Sequence, residues 1–78
     1  MYLEIITPDK KLFSGDVTSV TLPGKDGSFG LLNRHAPIVS TLKSGKIKIV
    51  DDQKHTQLFD IKGGVVEVSN NKVTVLAQ

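Results

Sequence analysis

The chain has 78 residues, of which 38% are hydrophobic and 23% charged, and its formal net charge is +2. This length fits one domain spanning residues 1–78. A chain so short buries only about 60% of the surface that its unfolded form exposes, so we expect a marginal fold or one that leans on a partner. The absence of cysteine excludes disulfides and thiolate chemistry, two histidines leave little for an all-protein zinc site, and two net charges make a weak field for nucleic acid.

The first residues resemble no targeting signal. Met1–Glu4 lacks the basic stretch and apolar stretch of a signal peptide, and no apolar run approaches the roughly 18 residues of a membrane helix. We therefore expect the protein to stay where it is made, or to be a mature form without its leader, with a cytosolic face as the default.

Alternating apolar and polar residues predict strands along the whole chain. Val and Ile supply fifteen of the thirty apolar residues and Ala only two, which favours sheet over helix. In chain order, the apolar members of the alternations are Leu3 and Ile5, Val20 and Leu22, Ile47 and Ile49, Phe59 and Ile61, Val66 and Val68, and Val73 and Val75. We expect eight of the side chains in these segments to be interior, and Lys48, Glu67 and Thr74 between them to face solvent. The eight are Val20, Leu22, Ile47, Ile49, Phe59, Val66, Val73 and Val75.

Turn-forming residues separate the predicted strands. Pro23–Gly27 predicts a longer loop, Asp51–Gln53 a hairpin loop, and Asn70-Asn71 a two-residue hairpin turn, because Asn tolerates positive φ. Eight to ten short strands at this spacing favour an all-β domain, either a β-sandwich or a flattened barrel.

No spacing of residues predicts a catalytic centre. The residues from which a triad could be drawn are Ser28, Ser40, Asp26, Asp60, His35 and His55. No nucleophile elbow surrounds either serine. Pro23–Gly27 lacks the Walker spacing, and Lys25 is followed by Asp, so no phosphate site follows from it.

The segment from Gly24 to Pro37 has the least regular pattern. Its glycines at positions 24, 27 and 30 suggest backbone that other residues would strain, and Phe29 is one of several apolar residues within it. Two interpretations remain open from the residues alone: a long hairpin folded back on the core, or a loop that contacts another protein.

Four patches follow one another along the chain: Phe13–Val17, Asp26–Leu31 followed by His35-Ala36-Pro37, Leu42–Gly45 followed by Ile47–Ile49, and Gly63–Val68 followed by Asn71–Ala77. In this order they resemble subunit epsilon of the F-type ATP synthases, which is called delta in mitochondria. Together they cover nearly the whole chain in the order and spacing of that family.

This resemblance implies a fold and a role. In the family this domain is a ten-stranded β-sandwich at the foot of the rotating central stalk, against subunit gamma and on the loops of the membrane c-ring. It has no active site, cofactor or metal, and it couples proton or sodium flow to ATP synthesis. The implied location is peripheral, on the cytoplasmic face of a bacterial inner membrane.

The resemblance also implies two sets of contact residues. Asp26, Gly27, Ser28 and Phe29 match the loop that touches the c-ring in the family. His35, Pro37, Ser40 and Gly45 match the face that packs on gamma. For His35 the alternative is a structural histidine hydrogen-bonded to its own loop.

Two departures from the family pattern qualify these expectations. Ser28 stands where an acidic residue is common, so polar pairing there must use Asp26 or Lys25, or be weaker. Bacterial members usually continue into a C-terminal helical hairpin that restrains ATP hydrolysis, whereas this sequence stops at Gln78, so we expect it neither to inhibit hydrolysis nor to bind ATP.

Two other classes of function remain as alternatives. A lipoyl or biotinyl carrier domain presents a lysine in a hairpin, and Asp9-Lys10 superficially matches its modified dipeptide, although no two similar halves flank it. A small β-barrel that binds nucleic acid would use lysines such as Lys46 and Lys48 beside aromatic residues, a weak pattern here.

Overall fold

A computed structural model, which describes residues 1–78, consists of nine strands joined by short turns. The strands are β1 (Tyr2–Ile6), β2 (Lys11–Asp16), β3 (Ser19–Gly24), β4 (Gly27–Leu32), β5 (Ile38–Leu42), β6 (Gly45–Val50), β7 (Thr56–Ile61), β8 (Gly64–Ser69) and β9 (Lys72–Ala77). The chain forms no helix, and hence none that is long and apolar enough to cross a membrane.

The strands form two layers that share one hydrogen-bonded sheet. Five strands lie in the order β2-β1-β9-β8-β5, and four lie in the order β4-β3-β6-β7. The layers join where Gly24 at the end of β3 pairs with Leu42 at the end of β5. All pairs are antiparallel except β1 with β9, which is parallel.

The far edges of the two layers meet through side chains. β2 and β7 are the outermost strands of the pairing order, and the rings of Phe13 and Phe59 lie 5.9 Å apart between centroids, tilted by 60°. A tilted pair at this distance is favourable for aromatic rings. The sheet is therefore joined by hydrogen bonds at one side and by an aromatic contact at the other, which gives the predicted sandwich.

The interior is filled by apolar side chains alone. Sixteen buried apolar residues form one cluster, and no polar or charged residue is buried. Seven of the eight side chains predicted most directly as interior are buried: Val20, Leu22, Ile47, Ile49, Val66, Val73 and Val75. Phe59 is only half-buried, because it lies on the outermost strand β7 and is covered on one side by Phe13.

The outward positions follow the alternation with one difference. Lys48 and Glu67 are exposed as predicted. Thr74 is half-buried, since Glu4 on β1 and Glu67 on β8 stand directly opposite it on the neighbouring strands.

Two predicted turns are confirmed and the third is shorter than expected. Asn70 and Asn71 form the two-residue β8–β9 turn with φ of 52° and 60°. Asp51 Oδ1 accepts hydrogen bonds from the amides of Gln53 and His55, which shapes the β6–β7 loop. The prediction of a longer loop over Pro23–Gly27 was wrong. β3 continues through Gly24, and only Lys25 and Asp26 connect it to β4.

The strand count is nine rather than the ten expected from the family. The connections between strands hold two to five residues each, so no segment remains that could add a further strand. The all-β class and the sandwich architecture are as predicted.

Candidate functional site

The first candidate surface is the tip of the β3–β4 hairpin, which we call the hairpin tip (Lys25–Ser28). Lys25, Asp26 and Ser28 are exposed, and Gly27 is half-buried with φ of 133°, a value that side-chain-bearing residues rarely adopt. The Lys25 amide donates a hydrogen bond to the Thr41 carbonyl at 3.1 Å. The tip is thus fastened to the end of β5 rather than free.

Phe29 does not lie on the exposed side of this hairpin. It is half-buried and packs against the core cluster, whereas Ser28 and Leu32 point to the other side of β4. Of the three glycines between Gly24 and Pro37, namely Gly24, Gly27 and Gly30, only Gly27 has positive φ. The exposed polar groups that the tip offers to another molecule are therefore those of Lys25, Asp26 and Ser28.

The second candidate region begins with residues 33–37, which we call the β4–β5 loop. All five residues are exposed, including His35 and Pro37. The His35 amide donates to the Leu32 carbonyl at 3.2 Å, and its ring Nδ1 lies 2.8 Å from the Ala36 carbonyl oxygen. The ring is thus bonded to its own loop, as the structural alternative for His35 expects, and it is also accessible to solvent.

The loop leads into β5, the strand that carries the predicted contact residue Ser40. Ile38, Ser40 and Leu42 share the inner side of this strand, and Ser40 is half-buried. Val39 points outward and is 71% exposed. Sequence reasoning missed Val39 because it followed the family motif to Ser40, although the alternation of β5 carries the signal that its neighbour is the exposed one.

A shallow hollow lies beside Val39. Its volume is about 300 Å³, and it is lined by Pro37, Ile38, Val39, Glu67, Val68 and Ser69. We call the exposed side chains of this region, Pro37, Val39 and Glu67, the β5 face. It combines the exposed aliphatic side chain of Val39 with the exposed carboxylate of Glu67.

Gly45 lies at the other end of β5 from the loop. It begins β6, and a Cβ placed on it would come within 2.8 Å of the Pro23 Cβ, so packing requires a glycine there. The four residues predicted to contact gamma do not form one cluster. They extend from the β4–β5 loop along β5 to the neighbourhood of the hairpin tip.

The largest groove lies elsewhere on the molecule. It has a volume of about 720 Å³ and is lined by the ends of β1, β5, β8 and β9 and by the turns beside them, including Ile6, Val65 and Leu76. Lys62 is its one charged lining residue, and no group of three or more metal-ligating side chains occurs in the structure. The groove brings together none of the predicted site residues.

Lys10, the residue of the carrier alternative, lies in the exposed β1–β2 turn. Its amide donates to Thr7 Oγ1 at 3.1 Å, and the Thr7 hydroxyl donates to its carbonyl at 3.0 Å. The turn is therefore closed by local hydrogen bonds, and the sheet order contains no pair of matching halves around it.

Known sequences match the chain from end to end. The family described as "ATP synthase, Delta/Epsilon chain, beta-sandwich domain" matches residues 1–78. An ATP synthase epsilon chain of Chlorobium limicola is 47% identical over 76 residues, which is 97% of this chain and 86% of that protein. One of Maricaulis maris is 40% identical over 78 residues, which is 100% of this chain and 58% of that protein.

Solved structures share the fold at lower identity. A chain in the mitochondrial ATP synthase of Euglena gracilis (OSCP, F1 and c-ring) superposes with a TM-score of 0.90 at 21% identity, covering 96% of this chain and 48% of that one. A chain in the central stalk and c-ring structure of the Tetrahymena thermophila mitochondrial ATP synthase gives 0.84 at 20% identity, covering 100% and 63%. With the full-length family match and relatives that are 40% and 47% identical, the chain belongs to the delta/epsilon family of ATP synthase subunits and forms its β-sandwich domain.

Proposed function

We propose that this protein is a non-catalytic subunit of the central stalk of an F-type ATP synthase. In this role it links the gamma subunit to the loops of the c-ring and couples ion flow to ATP synthesis. The observation that carries the proposal is the match of the delta/epsilon family over residues 1–78. The likeness to a chain in a central stalk and c-ring structure supports the same placement. Its location is peripheral, on the cytoplasmic face of a bacterial membrane.

The hairpin tip is the proposed contact with the c-ring. Lys25, Asp26 and Ser28 offer exposed polar groups, and the tip is held against the end of β5 by a backbone hydrogen bond. Gly27 lets the turn adopt its conformation, and Phe29 anchors the hairpin in the core from below. Of the four residues that the family motif points to, Asp26 and Ser28 make the direct contacts.

The β4–β5 loop and the β5 face are the proposed contact with gamma. His35 and Pro37 lie exposed at the start, Ser40 and Gly45 shape the strand and its far end, and Val39 supplies the aliphatic side chain that a partner would bury. A surface residue that becomes buried at the centre of an interface contributes far more to affinity than one at the rim.

One rigid body carries both contacts. Two further backbone features tie the hairpin to β5, namely the Gly24–Leu42 pair and the hydrogen bond from the Lys43 amide to the Pro23 carbonyl at 2.9 Å. A force applied at the hairpin tip is thus passed to β5 through backbone hydrogen bonds. This continuous backbone connection supports the proposal that the domain transmits torque between ring and stalk.

Binding to a gamma-containing complex tests the proposal. The chain is mixed with the purified catalytic complex that holds gamma but has been stripped of its own delta/epsilon subunit, and the affinity is measured. We expect Val39→Asp to weaken binding by about tenfold or more, because a carboxylate would be buried in an apolar contact.

Leu58→Asp is the matched control for this experiment. Leu58 is also an exposed aliphatic residue, 58% accessible, but it lies on β7, which β3 and β6 separate from β5 in the pairing order, and it is outside both contact surfaces. We expect its substitution to leave the affinity within about twofold. Absence of binding by the unaltered chain would contradict the proposed function, and equal loss in both variants would contradict the assignment of the β5 face.

A further inference from the structure

The β4–β5 loop contains a residue in an unfavourable backbone conformation. Arg34 has φ of 63°, in the left-handed region, where residues other than Gly, Asn and Asp are uncommon. All five residues of the loop are exposed, so no burial of apolar side chains holds it in this shape. Hydrogen bonds must therefore hold it if it is to keep one conformation.

The acceptor of the hydrogen bond that fixes Arg34 is Asn71, near the C-terminal end of the sequence. The Arg34 amide donates to Asn71 Oδ1 at 2.8 Å, across 37 residues of chain. Next to it, the His35 amide donates to the Leu32 carbonyl at 3.2 Å. The side chain of Asn71 is thus the group outside the loop that binds its backbone at the strained position.

Asn71 is itself held firmly in place. It is the second residue of the two-residue β8–β9 turn, with φ of 60°, and its carbonyl accepts a hydrogen bond from the Tyr2 amide at 3.1 Å. The turn is thereby fastened to β1 as well as to its own two strands. The acceptor offered to Arg34 therefore stands on a turn that is held by its own two strands and by β1.

We propose that Asn71 is a positioning residue that presents the β4–β5 loop to the partner protein. Its side-chain oxygen keeps Arg34 in the left-handed conformation, and this fixes the direction in which His35 and Pro37 leave the sheet. A loop that is already ordered loses less entropy on binding than a mobile one. This inference rests on the proposed contact between the loop and gamma.

Few residue types meet both requirements at position 71. The turn needs a residue that tolerates positive φ, and the loop needs a short side chain with an acceptor. Glycine meets the first requirement only, whereas aspartate meets both. Asn70, with φ of 52° in the same turn, makes no side-chain hydrogen bond to the loop and so provides the matched control.

Three variants of the full chain separate positioning from folding. Asn71→Gly removes the acceptor and keeps a turn that glycine favours, Asn71→Asp keeps the acceptor, and Asn70→Gly changes the turn alone. For each, hydrogen exchange at the Arg34 amide reports the order of the loop, and affinity for the catalytic complex without its delta/epsilon subunit reports docking. Thermal unfolding confirms that each variant is folded.

We expect Asn71→Gly to speed exchange at the Arg34 amide and to weaken binding by about two- to tenfold, the equivalent of one net hydrogen bond. Asn71→Asp should restore both values, and Asn70→Gly should change neither. Unaltered exchange in Asn71→Gly would show that Asn71 does not hold the loop, and faster exchange with unaltered affinity would show that the held conformation does not serve docking; either result overturns the proposal. If the unaltered chain does not bind the complex, the proposed function itself fails.

Discussion

Glu4 is the side chain with the most concentrated set of charged contacts. Its two carboxylate oxygens lie 3.1 Å from Lys11 Nζ and 3.2 Å from Lys72 Nζ. Hydrogen bonds from Lys11 first and Lys72 second lower the pKa of Glu4 below its ordinary value, against a smaller opposing effect of desolvation. Since Lys11 is on β2 and Lys72 on β9, this carboxylate links β1 to both of its neighbours.

The lowered pKa predicts how this cluster depends on pH. A carboxyl whose pKa is lower in the folded protein contributes stability above its unfolded pKa, about 4.3 for Glu, and loses it as pH falls through the folded value. Glu4→Gln should therefore unfold at a lower temperature than the unaltered chain at pH 7. The difference should shrink as the pH is lowered below about 4. Thermal unfolding of both proteins across this range measures it, and a difference that is constant with pH would mean that charge is not what Glu4 contributes.

Alternation within each strand determines how far this fold can be predicted from sequence. It located Ile47 and Ile49 inside and Lys48 outside, because side chains on a strand alternate strictly between two faces. It could not give the partner of each strand, and the position of Phe59 depends on that partner. On the outermost strand β7, Phe59 can be covered only from one side.

Turn chemistry predicts the chain reversals but not always their length. Asn70-Asn71 was assigned correctly because both residues tolerate positive φ. Pro23 and Gly24 suggested a loop by composition, yet both lie in β3, where the Pro23 carbonyl accepts the Lys43 amide. Tertiary pairing with the end of β5 outweighs the local preference of these residues.

The candidate site, too, could be predicted from sequence only in part. The family motif led to the hairpin tip and to the loop containing His35, both of which are exposed. It did not indicate that Val39, rather than Ser40, faces outward on β5. Nor could it reveal that Asn71 holds Arg34, because that contact joins residues far apart in sequence and depends on the packing of two turns.

β8 and β9 approach each other closely at Gly64, where a side chain would not fit. A Cβ on Gly64 would overlap the Leu76 carbonyl oxygen, so Gly64→Ala must push the two strands apart. We expect it to lower the free energy of unfolding by at least about 2 kcal/mol. Chemical denaturation with urea measures this loss.

Gly63→Ala is the matched control for the strand separation. Gly63 has φ of 149° and Gly64 of 148°, so both substitutions meet the same backbone strain, but the nearest atoms to a Cβ on Gly63 are 3.5 Å away. Its cost should be limited to the strain itself, about 1–3 kcal/mol, and should be smaller than that of Gly64→Ala. Equal losses in the two variants would show that close approach of β9 is not the reason for the glycine at position 64.

At the scale of the whole molecule, the protein is a small closed body measuring 27 × 23 × 19 Å. Its sheet is joined by hydrogen bonds where β3 meets β5 and by the Phe13–Phe59 contact where β2 meets β7, with a wholly apolar interior between. Nothing in this arrangement forms a hinge between the hairpin tip and the β5 face. The fold therefore keeps the hairpin tip and the β5 face in a fixed relation, which is what the proposed coupling role requires.

The most direct test of this account is restoration of coupling. Vesicles are prepared with an F-type ATP synthase that lacks its own delta/epsilon subunit, and ATP-driven ion uptake is followed as this chain is added. We expect uptake to rise with added chain and to level off at one chain for each complex, while Val39→Asp requires a higher concentration to reach the same level. Ion uptake that stays at its starting level, although the chain is folded and present in excess, would contradict the assignment as a stalk subunit.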